Sequence, residues 1–369
     1  MENELTIRQP VYDLGTLWSP DVWSTKLHMY AEATWHNATG AGAGTWEGQG
    51  GSTTPPPYLR MITCRGRMYL AADRELQRVH QACDYLLSIQ RADGRWESTS
   101  TASPTATIDD AFDTAECGEM LYHAFRRFGI VEYRAAATAA VAWLLTGTVS
   151  AQYADAEYYA EHPTDSPFLQ LYAFQNANFM GSMLRCLSEA YRDSGEVTVQ
   201  AAMRQGVQGL LAWQQPDGTW VHYGDYPGGV LQGSQVKSMV YHDLATVGLL
   251  AAWEHGDFWT SEEREALHKG IWRALNYTIS QQQSSGLMLL RLDQPYTVCA
   301  GGWSVAWAMR AMFQSPVNQY RGKTVLWNLG KGMENVMWQG QSKAMLDTRL
   351  LLYRMLTEVV RWTTWYERA

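Results

Sequence analysis

Three aspartates fall within five positions of "TATIDDAFDTAECGEML" (105–121): Asp109, Asp110 and Asp113. They follow a Ser/Thr/Pro-rich stretch and precede a helical pattern, so they stand where a helix begins. One aspartate at such a point caps free N–H groups and complements the helix dipole. Three so close together repel one another, a cost that a cation would offset. Asp109 and Asp113, at i and i+4, share one helix face with Asp110 beside them. Magnesium takes one or two such carboxylates together with waters and substrate phosphates. The expectation is a Mg²⁺ site, with a plain helix cap as the alternative. Glu116 lies one turn further on.

The elements around them are helical. From about residue 68, "MYLAADRELQRVHQACDYLLSIQ" repeats its apolar positions near 3.6 residues. Similar stretches are predicted at 110–128, 132–147, 168–193, 197–215, 236–255, 261–283, 303–313, 322–338 and 342–365. "LMLLRL" (287–292) is the nearest thing to a strand, and it is too short to decide. Residues 37–58, rich in glycine and ending in Pro55–Pro57, read as a linker. The division expected is an N-terminal arm and loop (1–60) and a catalytic body (61–369).

A repeat organises the body. "YLLSIQRADGRWE" (85–97) matches "GLLAWQQPDGTWV" (209–221) at Gln90/Gln214, Asp93/Asp217, Gly94/Gly218 and Trp96/Trp220. A weaker copy, 277–289, keeps Gln282 and Gly286. The spacing implies a unit of roughly sixty residues, two helices and a turn. In each copy a helix ends at Gln, Asp-Gly turns with glycine at positive φ, and Trp folds back on the helix end. Hairpins repeated around a circle give an all-α fold, an α/α barrel or toroid, whose cavity is lined by the starts of the inner helices.

Composition narrows the function classes. The net charge is −8 with no basic run, which argues against a nucleic-acid surface. No run of about 18 apolar residues could span a bilayer. The five cysteines are scattered and show no CxxC spacing, which suits buried, reduced thiols. With no basic, apolar leader at the N-terminus, a cytoplasmic protein is expected. The 17 Trp and 20 Tyr need either a thick inter-helix core or an aromatic-lined pocket.

The Gln-x-x-Asp-Gly-x-Trp turns resemble the QW motifs of helical-toroid terpene cyclases, and Asp109–Asp113 resembles the aspartate-rich motif of class I terpene synthases. Against the class II acid motif, "DAFDTA" puts Asp110 and Asp113 on the outer aspartates and Phe112 where the proton donor belongs. The combination is similar to the fungal humulene-forming sesquiterpene cyclases of tropolone-sesquiterpenoid pathways. That resemblance implies a Mg²⁺-dependent enzyme ionising farnesyl diphosphate at Asp109, Asp110 and Asp113. It implies a second metal motif at Asn178 and Ser182, although Cys186 stands where a glutamate is expected. Asn176 and Glu189 are nearby alternatives. The diphosphate would meet cations, for which Arg185, Lys237, Arg291 and the Arg321/Lys323 pair are candidates. Phe179, Tyr241, Trp303 and Trp307 would line the prenyl chain and face carbocations.

A different class of chemistry fits the same scaffold. Glycoside hydrolases and polysaccharide lyases on α/α barrels also combine such turns with many aromatic rings. They need two carboxylates at a set separation, such as Asp110 with Asp225 or Asp243, and no metal triad. Adjacent His242 and Asp243 point about 100° apart on a helix and do not form a dyad by themselves.

Overall fold

The computed structural model describes residues 35, 44–46, 59–72, 75–98, 106–149, 165–223, 235–236, 238–283, 288–291, 294–299 and 303–312. The helices predicted at 322–338 and 342–365 lie outside them.

Helices dominate, in hairpins: α1 (Leu59–Ala72), α2 (Leu76–Ile89), α3 (Ile108–Phe128), α4 (Val131–Thr146), α5 (Pro167–Ala173), α6 (Ala177–Ser194), α7 (Val197–Trp213), α8 (Met239–His255), α9 (Ser261–Gln281) and α10 (Trp303–Ala311). The fold is an all-α barrel. Helices α1, α3, α6, α8 and α10 pack side by side in that order as the inner ring, while α2, α4, α7 and α9 lie outside them. Burial follows position. Helix α8 is buried from Met239 to Ala252 except at Tyr241, as a helix with neighbours on every side must be. Outer α2 buries only Val79, Ala82, Cys83 and Leu86, one stripe. Helices α6 and α8 touch backbone to backbone, because a Cβ on Gly181 would lie 2.2 Å from the Leu244 carbonyl oxygen.

Two expected elements divide. The pattern starting near residue 68 is two helices, broken at Glu75 with φ 53°. The stretch 168–193 breaks at Gln175 with φ 52°, after which Asn176 caps α6 by accepting from the Phe179 N–H. Periodicity alone carries across a three-residue break that preserves the apolar face. "LMLLRL" contributes β3 (Met288–Arg291), antiparallel to β4 (Gln294–Cys299). A second short ladder joins β1 (His222–Tyr223) to β2 (Gln235–Val236). Ahead of α1, Trp46 is buried and stacked on Tyr69, ring centroids 5.4 Å apart.

The turns confirm the repeat down to single bonds. Trp96 Nε1 donates to the Leu86 carbonyl (2.9 Å), and Trp220 Nε1 to Leu210 (2.8 Å). Gln90 Nε2 donates to the carbonyls of Gly94 and Ala136, as Gln214 Nε2 does to Gly218 and Gly270. Each glutamine thus ties its turn to the next outer helix. Gly94 and Gly218 have φ of 98° and 93°, and a Cβ there would sit 2.4 and 2.3 Å from a backbone oxygen. No other residue fits either place.

The two rims of the barrel differ. Inner helices pass to outer ones through tight turns at 129–130, 195–196 and 256–260, with Gly129 and Gly195 in the left-handed region. Outer helices return to inner ones through the long connections 90–107, 214–238 and 282–302. The starts of the inner helices therefore face the long loops, where sites are usually built. This end is the mouth and the other is the base.

Candidate active site

At the mouth, α3 opens with a capping box. The Thr107 hydroxyl accepts from the Asp110 N–H, while Asp110 Oδ2 accepts from the Thr107 N–H at 2.8 Å. Asp110 also accepts from the Ser98 N–H (2.6 Å) and Arg95 Nη1 (3.1 Å). Both its oxygens are committed, so the middle aspartate of the triad closes the first turn and anchors the preceding loop. The cap alternative describes Asp110.

Asp109 and Asp113 differ from it. Asp113 is buried and accepts from Arg60 Nε of α1 at 2.9 Å. Burial raises its carboxyl pKa, with Arg60 opposing. Asp109 is half-buried and makes no hydrogen bond to the described residues. Burial raises its pKa as well, and the more distant Arg60 charge opposes. The Arg60 guanidinium also lies 4.1 Å over the Phe112 ring, and Phe112 packs on Phe179 of α6 with centroids 4.8 Å apart. An acid pair, one arginine and two aromatic rings meet at the starts of α1, α3 and α6. Arg60 carried no sequence signal, since its partner lies on a different helix.

Asn178 and Ser182 lie on neighbouring turns of α6, both buried. Asn178 Oδ1 and Ser182 Oγ have no hydrogen-bond partner among the described residues. Arg185, expected to meet a diphosphate, is fully buried deeper in the barrel. It bonds Glu116 Oε1 at 3.2 Å and pairs with Glu119, so its charge is neutralised within the protein. Trp307 is buried and donates to Glu254 (2.7 Å), and Tyr241 is partly buried. The side chains of Arg291 and Trp303, and the whole of Lys237, Asp225, Arg321 and Lys323, lie outside the described residues. Among the described residues no group of three or more His, Cys, Asp or Glu converges as a metal cage. None of the described helices is long and apolar enough to cross a membrane.

His242 and Asp243 diverge as the helix geometry requires. His242 Nε2 is 3.0 Å from both the Ala274 carbonyl and Thr278 Oγ1, while Asp243 accepts from Ser304 of α10 at 2.7 Å.

The base holds a second charged group. Arg67 pairs with Glu119 at 2.9 Å, and Glu189 is ringed by His123 Nε2 (3.3 Å), His255 Nε2 (3.4 Å) and Arg126. Burial raises the Glu119 and Glu189 carboxyls, but the surrounding cations more than offset it and hold both well below the usual carboxylate range. Burial pushes the His123 imidazole down to about 4. The sequence did carry a sign of this group. Glu116, Glu119, His123 and Arg126 recur every three or four residues along an otherwise apolar helix.

No family model and no curated protein matches the chain. Solved structures do share its fold. A sugar epimerase from a ruminal bacterium matches at TM-score 0.61 and 13% identity, over 98% of both chains. The cellobiose 2-epimerase of Bacillus thermoamylovorans B4167 matches at 0.61 and 10%, over 95% of this chain and 99% of that one. A family 76 glycoside hydrolase from a bovine Bacteroides thetaiotaomicron strain matches at 0.56 and 10%, over 95% and 78%. At such identities the likeness establishes the architecture alone, an α/α barrel.

These neighbours overturn the terpene-cyclase resemblance, and with it the humulene-forming, farnesyl-diphosphate-ionising reading. The physical reason lies in the motifs. The Gln-Asp-Gly-Trp turn is the joint between hairpins of a toroid and carries no chemistry of its own. In the aspartate-rich stretch, the middle residue is a capping-box partner.

Proposed function

We propose that the protein is a carbohydrate-active enzyme that cleaves a glycosidic bond with Asp109 and Asp113 at the barrel mouth. The observation that carries this reading is the contrast between the two acids. Burial raises both carboxyls, but Asp109 is half-buried with no side-chain hydrogen bond to the described residues, whereas Asp113 is bonded to a guanidinium that favours its ionised form. Environments that treat two neighbouring carboxyls differently assign an acid and a carboxylate. Asp109 holds the proton and gives it to the departing glycosidic oxygen. Asp113, whose charge Arg60 stabilises against burial, faces the positive charge developing at the anomeric carbon; water adds its hydroxyl there, and its remaining proton returns to Asp109. Four residues apart on one helix, their Cβ atoms are about 6 Å apart. Phe179, partly exposed beside buried Phe112, offers an apolar surface for a sugar ring.

The neighbours' names include epimerases, whose chemistry would instead move a proton beside a carbonyl. The carboxyl pair at the mouth, with one member bonded to Arg60, favours cleavage. One assay separates the two. Purified protein is incubated with a panel of β- and α-linked oligosaccharides, including cellobiose and α-1,6-mannan fragments, in D₂O. Cleavage yields new reducing ends, whereas epimerisation places deuterium on the sugar carbon. The expected result is cleavage of one linkage class and a fall in kcat of about 10²–10⁴ in Asp109→Asn. No cleavage of any substrate, or an Asp109→Asn enzyme as fast as the native one, would sink the proposal.

A further inference from the structure

Two buried polar atoms near the start of α6 have no hydrogen-bond partner among the described residues. Asn178 Oδ1 and Ser182 Oγ are in residues only 2% and 1% exposed. An unpaired buried polar group costs about 1–3 kcal/mol, so two on successive turns of one helix call for a reason. Ser182 has the ordinary local solution at hand and does not take it. On the same helix Ser188 bonds back to the Leu184 carbonyl at 2.6 Å and Ser194 to Ala190 at 3.0 Å.

The direction these atoms face follows from their neighbours. On α6, Gly181 lies against Leu244 of α8, and Cys186 lies against Gly118 of α3. At 100° per residue, Asn178, Ser182, Arg185 and Glu189 fall between those two contacts, on the stripe facing the barrel interior. Arg185 and Glu189 prove the stripe's direction by reaching Glu116 and His123 on α3. Their depth follows from the same parallel pairing. Phe112 meets Phe179, Glu116 meets Arg185 and His123 meets Glu189, in that order along both helices. Asn178 and Ser182 thus stand level with Asp109 and Asp113, above the neutralised Arg185.

We infer that Asn178 and Ser182 form the inner wall of a sugar subsite, bonding ring hydroxyls of the residue whose glycosidic oxygen Asp109 protonates. Sugar hydroxyls both donate and accept, which suits a lone amide oxygen and a serine hydroxyl. The inference rests on the carbohydrate reading above and adds the residues that select the sugar's hydroxyl pattern. Discrimination is strongest at such positions, since a ligand lacking the hydroxyl leaves the protein atoms unpaired.

The test measures binding and stability together. Calorimetric titration with cellobiose, α-1,6-mannobiose, glucose and mannose is run on the native protein, Ser182→Ala and Asn178→Ala, alongside thermal unfolding without sugar. The expected result has opposite signs. Ser182→Ala melts at or above the native temperature, because it removes an unpaired hydroxyl, and binds the preferred sugar about tenfold more weakly. Asn178→Ala shows the same weakening. If the native protein binds a sugar and both variants bind it equally well, the subsite is overturned while the carbohydrate reading stands. If Ser182→Ala melts lower, the hydroxyl is already partnered in the free protein, and the subsite is overturned again. If the native protein binds none of the four sugars, the carbohydrate reading fails first and takes the subsite with it.

Discussion

The mouth and the base of the barrel use similar residues in opposite states. At the base, Glu119 and Glu189 each pair with arginine, and Arg67, Arg126 and Arg185 all find carboxylates. At the mouth, the Asp109 carboxyl, Asn178 Oδ1 and Ser182 Oγ have no hydrogen-bond partner among the described residues. Helices α3 and α6 carry both ends, so the difference is one of depth along the same helices. Buried charges set against opposite charges tie the inner helices to one another. Polar groups held ready beside aromatic rings and long loops are what a ligand site requires.

Breaking a base pair should have the largest effect on stability. Arg185→Met leaves Glu116 and Glu119 facing each other in a dry interior, and a lost buried partner costs about 3–5 kcal/mol. Urea unfolding should show that loss, while Asp109→Asn at the mouth leaves the midpoint near the native value. Equal effects at both ends would erase the distinction drawn above.

Acid sharpens the comparison because histidines and mouth acids respond with opposite sign. His123 and His242 are pushed by burial down to about 4, against an ordinary 6.5. Between those values the unfolded chain binds protons that the native state refuses. Stability is therefore complete above about pH 6.5 and falls as the pH drops toward 4, by up to about 2.7 kcal/mol per pH unit for two such groups. The raised carboxyls of Asp109 and Asp113 act the other way. Just above the ordinary 3.8 the native state holds their protons more tightly, which favours folding there and fades as the pH rises. Unfolding midpoints at pH 7, 6 and 5 should fall in steps, and a flat profile would mean that the histidines charge freely in the native state.

A smaller effect separates the rims as built objects. Gly218→Ala puts a Cβ 2.3 Å from the Arg273 carbonyl oxygen at φ 93°, and a strained position of that kind costs about 1–3 kcal/mol. Gly195→Ala at the base has no atom within 4 Å of the added carbon and carries only the strain of φ 66°. Thermal unfolding should rank Gly218→Ala as the more damaging of the two.

Some of this was readable without coordinates. The helices, the hairpin repeat, the positive φ of Gly94 and Gly218 and the Trp that folds back are local. Period, turn chemistry and spacing act over a few residues, so the chain alone decided them, and with them the toroid. The alternative reading of a sugar-processing barrel also lay within reach, because that scaffold follows from the repeat. The identity of the site did not. Asp109, Asp110 and Asp113 look alike in the sequence, yet one caps a helix, one is tied to Arg60 and one stands open. Arg185 looked like a free cation and is enclosed between two glutamates. Partners of that kind come from other helices, brought together only when the inner ring packs, and the partner a charged group finds decides whether it supports the barrel or stays available for chemistry.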